Sequence, residues 1–234
     1  MLLGNSMSEI VHVDTKITYR FICMRRSGHH AIMKWLHYQL KNPKVAINDV
    51  TTRKDGMDES HTFYLDDLRY DKKKVRVSEG KIKCDYFAFN HEDEDIEQVL
   101  NKHLNTESTV YNIVVQRDMK NLFASRVKCD FVDNTLNAFK ESLALFRKYD
   151  EYFLDERVFP ISYNDWVKSL DYRKDIAKRL EVKFFNDRMH KNVPVFGSGS
   201  SFDGREFQKN ADKMDVFNRW KEFQDHPWFK EYLL

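Results

Sequence analysis

Nine residues, Met24-Arg25-Arg26-Ser27-Gly28-His29-His30-Ala31-Ile32, join a strand-like run from Ile17 to Cys23 to a helical pattern that begins near Ala31. A turn of cationic, small and polar residues between a strand end and a helix start gathers backbone N–H groups and the positive helix end at one point. Phosphate or sulfate suits such a pocket. The turn lacks Gly-x-x-x-x-Gly-Lys-[Ser/Thr], so the lysine and hydroxyl that hold a triphosphate and its magnesium are missing, which argues against an ordinary ATPase. Taken alone, a basic Ser-Gly turn also reads as plain helix capping. A second junction strengthens the anion reading. Tyr111 to Gln116 has the apolar character of a buried parallel strand and runs straight into Arg117-Asp118-Met119-Lys120-Asn121-Leu122-Phe123-Ala124-Ser125-Arg126. Arg117 offers a two-pronged fork for a phosphate and Ser125 a short hydroxyl donor. The plainer alternatives are an Arg117 paired with Asp118 or a helix end, and a Ser125 that is an ordinary helix residue.

Together the two junctions resemble the sulfotransferase family. Its 5′-phosphosulfate loop is usually written Pro-Lys-Ser-Gly-Thr-Thr, and Arg25-Arg26-Ser27-Gly28-His29-His30 lies on it in register, with Ser27 and Gly28 identical. Its 3′-phosphate site is a strand followed by Arg-Asp-Pro and a later serine, matched by Arg117 and Ser125. Two softer landmarks follow in order. Phe159-Pro-Ile-Ser-Tyr163-Asn-Asp-Trp166 is similar to the strand ending in Tyr-Glu-Asp-Leu, whose tyrosine lies near the adenine, so the resemblance assigns that place to Tyr163. Gly197 to Arg205 stands where the family has a late loop over the 3′-phosphate, which implies donor roles for Ser201, Phe202 and Arg205; a solvated Gly/Ser linker accounts for it equally well. The landmarks span about residues 17 to 223. The resemblance implies a P-loop-like α/β fold and transfer of a sulfuryl group from 3′-phosphoadenosine-5′-phosphosulfate to a hydroxyl or amine, with 3′-phosphoadenosine-5′-phosphate as product and no metal. The acceptor class is a small molecule or carbohydrate. A magnesium-dependent nucleotide or small-molecule kinase and a non-catalytic relative are the alternatives.

Chemistry on such a donor needs a base for the acceptor and positive charge at the leaving phosphate, with the base at a strand end beside the loop. Cys84-Asp-Tyr-Phe-Ala-Phe-Asn90-His91-Glu92 is an apolar strand ending in a His-Glu pair, where the family places its catalytic His or Glu. His91 is the first candidate because imidazole titrates near working pH, and Glu92 the second; helix capping by Asn90 to Asp93 is the plain alternative. Arg26 replaces the family lysine at the leaving oxygen, where it offers charge and no proton. His29 and His30 replace the two threonines, so imidazole must substitute for hydroxyl contacts, or His30 faces the acceptor as a second base. Ala31 stands where many cytosolic members carry a tryptophan under the adenine, and Tyr163 or Phe202 would take over.

The elements that must position these residues follow from pattern. Strand-like runs alternate with helical periodicity, which predicts a parallel sheet covered on both faces. Ile32, Trp35, Leu36 and Leu40 share a helix face and mark Trp35 as core. Asp93 to Asp95 open a helix carrying Ile96, Val99, Leu100 and Leu104; Leu136, Phe139, Leu143 and Phe146 mark a longer one between Asn134 and Phe153; Met214, Phe217 and Trp220 suggest a last helix. Val50 to Lys83, charged and containing Lys72-Lys73-Lys74, shows no sustained period and reads as an excursion or a solvated loop on the acceptor side. With 234 residues, 41% hydrophobic and 14% aromatic, the chain suits one domain, 1–234, with 50–83 as the excursion and 186–212 as the late loop. A net charge of +2 from 39 basic and 37 acidic residues implies no nucleic-acid footprint. Cys23, Cys84 and Cys129 have no metal or CxxC spacing and read as structural thiols of a reducing compartment. No apolar run approaches roughly eighteen residues, and the N-terminus lacks a basic, then apolar, signal pattern, so a cytoplasmic protein without membrane contact, or a catalytic domain cut from something longer, is expected. Oligomeric state has no signal.

Overall fold

The computed structural model describes residues 12–40, 44–52, 58–64, 76–78, 81–101, 108–129, 135–193 and 199–234. In it, the apolar run Ile17–Cys23 forms the strand at the heart of a six-stranded sheet. In chain order the strands are β1 (His12–Asp14), β2 (Ile17–Cys23), β3 (Lys44–Thr52), β4 (Asp58–Tyr64), β5 (Arg76–Ser78), β6 (Lys81–Lys83), β7 (Tyr86–Glu92), β8 (Thr109–Gln116) and β9 (Phe159–Ser162). The large sheet has the order β4-β3-β7-β2-β8-β9; its pairings are parallel except for the antiparallel edge strand β4. A small sheet joins β1, β6 and β5. Both neighbours of β2 run in register along its whole length, Ile17–Cys23 facing Tyr86–Glu92 on one side and Thr109–Val115 on the other.

Two cores lie on the two faces of this sheet. Tyr19, Phe21 and Cys23 of β2 pack with Trp35 and Leu36 of α1 (His29–Gln39), Trp166 of α5 (Tyr163–Lys168) and Ile176 of α6 (Leu170–Arg179). Ile22 and Met24 face the other way, onto Ile96 of α2 (Ile96–Asn101), Phe123 of α3 (Met119–Lys128), Phe139 and Tyr149 of α4 (Leu136–Tyr152) and Phe229 of α7 (Pro227–Tyr232). A strand buried on both faces needs apolar residues at consecutive positions, which is why the run is continuous. This is the expected α/β fold with helices on both sides of a mainly parallel sheet. Trp35 is fully buried with its ring edge-on to Trp166, a core residue as its spacing predicts. Cys23 and Cys84 are buried free thiols and Cys129 is half-buried. Among the described residues no helix is long and apolar enough to cross a membrane.

Helix starts follow local chemistry. Thr135 caps α4 by accepting from the Ala138 N–H, Asp118 caps α3 through the Asn121 N–H, and Ser162 and Ser169 cap α5 and α6. Three expectations are corrected. The first helix begins at His29, two residues earlier than its apolar pattern, because Gly28 turns the chain at a positive φ of 89°. Met214, Phe217 and Trp220 do not form a helix: the segment is irregular up to a 3-10 turn at Arg219–Phe223, and the last α-helix starts only where Pro227 presets its first turn and the His226 ring caps it. The stretch from 50 to 83 carries strand structure, the end of β3 followed by β4, β5 and β6, since strand pairing needs no visible apolar period at a sheet edge; Lys72 to Lys74 and Leu104 lie outside the described residues.

Beyond the carboxyl ends of β2, β7 and β8 the chain leaves as the loops at 24–28, 93–95 and 117–118, which meet in one crevice, the usual ligand position of an open α/β sheet. Phe139, fully buried among Phe123, Trp228 and Tyr232, holds α4 against α3 and α7. Phe139→Ala is expected to lower unfolding free energy by about 3–5 kcal/mol, read as a lower urea midpoint at an unchanged slope; a loss under about 1 kcal/mol would mean that the ring cluster does not tie these helices together.

Candidate functional site

The loop after β2 is built by two residues in left-handed conformation, Arg26 (φ 71°) and Gly28 (φ 89°), with the Ser27 N–H closing a turn on the Met24 carbonyl at 3.1 Å. Gly28 is required twice. A side chain there would be strained by the positive φ, and its Cβ would sit 2.2 Å from the Tyr163 ring. Gly28 occupies the N-cap of α1 without a side-chain cap, and no acidic residue lies in the first turn, so the 11-residue helix presents its positive end to the crevice uncapped. Tyr163, buried over Gly28, also receives the Arg117 guanidinium on its ring at 5.2 Å and stacks on Trp166.

Beside the loop, one buried carboxylate gathers three segments. Glu92 Oε1 lies 2.8 Å from His29 Nε2, 3.2 Å from His30 Nε2 and 2.9 Å from the donating Asn90 Nδ2, while Oε2 accepts from Arg25 Nε at 3.1 Å. Ser27 Oγ sits 3.1 Å from His29 Nδ1, and the two imidazole rings are 4.0 Å apart. Burial, with the adjacent His30, pushes the His29 imidazolium down to about 4 against the pull of Glu92. Burial alone would raise the Glu92 carboxyl; the imidazoles of His29 and His30 outweigh it and hold Glu92 well below the usual carboxylate range. A neutral His29 beside an ionised Glu92 donates its Nε2 proton to the carboxylate, which assigns the tautomer.

Strand register separates the two base candidates. Glu92 pairs with Cys23 and Asn90 with Phe21, on the α1 face, whereas His91 pairs with Ile22 and points into the opposite core. There His91 is fully buried against Phe89, 3.6 Å from Glu94, away from the loop. The structure thus brings Glu92 to the site and does not bring His91. Asp93, at φ 59°, binds the Arg25 N–H at 3.0 Å and Arg126 Nη1 at 2.7 Å, locking the loop to α3.

A second cluster lies between the loop, α3 and the late segment. Arg26 sends its guanidinium to Ser125 Oγ (3.5 Å) and the Gly199 carbonyl (3.2 Å), and Ser125 Oγ bonds Ser201 Oγ. The Arg26 side chain thus lies beside Ser125, the Gly199 carbonyl and Ser201. Arg117 is buried, donating to the Arg26 carbonyl (3.2 Å) and the Val216 carbonyl (3.0 Å), not to Asp118. Asp118 instead caps α3 and holds Asn164 and Asn121, and Asn121 in turn bonds the Phe217 carbonyl and the Trp220 N–H. That clamp delivers Arg219, which bonds Asp203 and lies over the Phe202 ring. Burial pushes the Arg26 and Arg117 guanidinium groups below their ordinary value, and Arg219 repels both.

The remaining expected residues divide. Tyr163 lines a small pocket with Ala31, Trp166, His190, Met214 and Val216. Phe202 packs at the margin of the other core, edge-on to Phe223, and Arg205 is exposed. Gly197 and Ser198 lie outside the described residues. Sequence reasoning missed Asn90, Asp93, Arg126 and Arg219. Asn90 is recoverable once Glu92 is chosen, since residues two apart share a strand face; nothing near Arg219 signals its role.

No protein-family model matches the chain, and no curated protein does. Among solved structures, mouse sulfotransferase SULT7A1 complexed with PAP is similar at 15% identity and a TM-score of 0.41, covering 74% of this chain, which spans 62% of that one. At that identity and score the likeness carries no argument about site or activity.

The buried imidazole has a measurable consequence. Unfolded, His29 takes a proton near 6.5; folded, only near 4. Between those values the unfolded chain binds more protons, so stability present above about pH 6.5 is lost as pH falls, and the depressed Glu92 acts in the same direction at lower pH. The protein is expected to lose about 2–3 kcal/mol more than His29→Gln on acidification across that window. Parallel urea-midpoint curves for the two proteins would show that His29 is not held neutral.

Proposed function

We propose that the protein is a sulfotransferase that takes 3′-phosphoadenosine-5′-phosphosulfate as donor and a hydroxyl or amine of a small molecule or carbohydrate as acceptor. The observation that carries the reading is the pairing of two anion-receiving loci on one loop. One is the uncapped N-terminus of α1 behind Ser27 and Gly28; the other is the Arg26, Arg117, Arg219 cluster around Ser125 and Ser201. Asp203 is bonded to the cluster through Arg219. Guanidinium groups held together against their own repulsion lower their energy when a dianion arrives. A donor with phosphate on both the 3′ and 5′ positions of its ribose and a purine on C1′ suits two such loci beside Tyr163 and the pocket next to Ala31.

The donor supplies an activated sulfuryl group; the chain supplies position, charge and a proton acceptor. The α1 N-terminus and the Ser27 to His29 backbone face charge that develops on a leaving phosphate. His30, whose side chain is 19% exposed, is the member of the histidine and glutamate cluster that an acceptor can reach. Glu92, held ionised, orients His30 and stabilises the imidazolium formed when it takes a proton, and its own low basicity suits it to orientation more than to abstraction.

Calorimetry with 3′-phosphoadenosine-5′-phosphate, in chelator, and separately with ATP and magnesium tests the reading. Micromolar binding of the bisphosphate is expected, weakened by about 1.5–3 kcal/mol in Arg117→Ala after the variant is shown to be folded. Preference for ATP with magnesium would transfer the reading to a kinase, and binding of neither would leave a non-catalytic relative.

A further inference from the structure

The histidine and glutamate cluster brings three metal-ligating side chains to one point. His29, His30 and Glu92 each place one ligand atom within 4.8 Å of the others, and the Nε2 atoms of His29 and His30 stand 2.8 and 3.2 Å from the same Glu92 oxygen. Donors bound to one tetrahedral ion at about 2.0–2.2 Å stand roughly 3.3–3.6 Å apart, so rotations of these side chains about their present positions admit an ion between them. From these donors we infer that His29, His30 and Glu92 form a binding site for a divalent transition-metal ion of the zinc class.

The surroundings match what such a site needs. Metal-bound histidines are oriented by a partner on the second ring nitrogen, and Ser27 Oγ stands 3.1 Å from His29 Nδ1. Bound carboxylates are held by their other oxygen, and Arg25 Nε holds Glu92 Oε2 at 3.1 Å. Asn90 Nδ2, 2.9 Å from Oε1, fixes the same carboxylate from within the strand. Two imidazoles and one carboxylate select zinc, cobalt or nickel over magnesium or calcium, which require oxygen donors. The donors come from rigid elements, the first turn of α1 and the last residue of β7. His29 and Glu92 are deeply buried and His30 is partly exposed, so a fourth coordination position opens toward the crevice, for water or an acceptor oxygen.

A metal on His30 Nε2 excludes His30 from the proton-acceptor role given above, so the site stands apart from the transferase reading, and its test reads metal binding alone. The full-length protein, stripped with chelator, is titrated with zinc chloride by calorimetry and with cobalt chloride by visible absorption. One equivalent of zinc and the d–d bands of a low-coordinate cobalt ion are expected. Glu92→Gln and His30→Gln should each weaken zinc binding at least tenfold, Ser27→Ala should weaken it by about tenfold, and His226→Gln, remote from the cluster, should not change it. His30 is the least buried ligand, so His30→Gln keeps the test valid if Glu92→Gln fails to fold, with far-ultraviolet circular dichroism and the urea midpoint as checks. No zinc binding, or binding of equal strength in His30→Gln, overturns the assignment.

Discussion

One buried carboxylate sets the geometry of the crevice. Glu92 ends β7, and its two oxygens reach α1 through His29 and His30, the loop after β2 through Arg25, and its own strand through Asn90. Bringing an ionised carboxylate out of water costs several kcal/mol unless its lone pairs are filled. The polar residues of the first loop meet that need: Arg25 and both histidines turn inward to one acid, and Ser27 completes His29. The same bonds leave Gly28 uncapped over the end of α1, so the demand of one charge also leaves the helix end open to another.

Arg26 links the two halves of the site. Its positive φ lets the loop turn back while its side chain leaves toward Ser125 and Gly199, and its carbonyl is held by Arg117. Backbone carbonyls and serine hydroxyls hold these cations, with Arg219 reached through the Asn121 clamp. The Ser125 hydroxyl and the Gly199, Arg26 and Val216 carbonyls fix position without cancelling charge, whereas Asp203 offsets the charge of Arg219.

How much of this was legible follows from how each element is specified. β2, β8 and α4 were readable because a strand buried on both faces is a continuous apolar run and a long amphipathic helix repeats its stripe. The strand-to-helix junctions that carry Ser27, Gly28, Arg117 and Ser125 were readable because turn chemistry is local. The choice between His91 and Glu92 was not local. In a strand whose two faces are both apolar, alternation is erased, and only the pairing of Glu92 with Cys23 and of His91 with Ile22 tells which residue looks at the loop. Arg219 was invisible for a related reason: an irregular segment places it, held by Asn121 on a helix almost a hundred residues away in sequence.

The parity argument reaches further than one residue. A helix laid over the carboxyl end of a parallel sheet sees alternate residues of each strand, so the last two residues of β7 are offered to different cores. His91 lies in the apolar layer with Phe89, and Glu94 is its acidic neighbour. Exchanging the two residue types would bury a carboxylate between Phe89 and Ile22, on the face away from the His29, His30 and Arg25 groups that fill the lone pairs of Glu92, and would leave both α1 histidines facing a third imidazole. The order Asn-His-Glu at this strand end is therefore fixed by the sheet register, and the chemistry of the crevice follows from it.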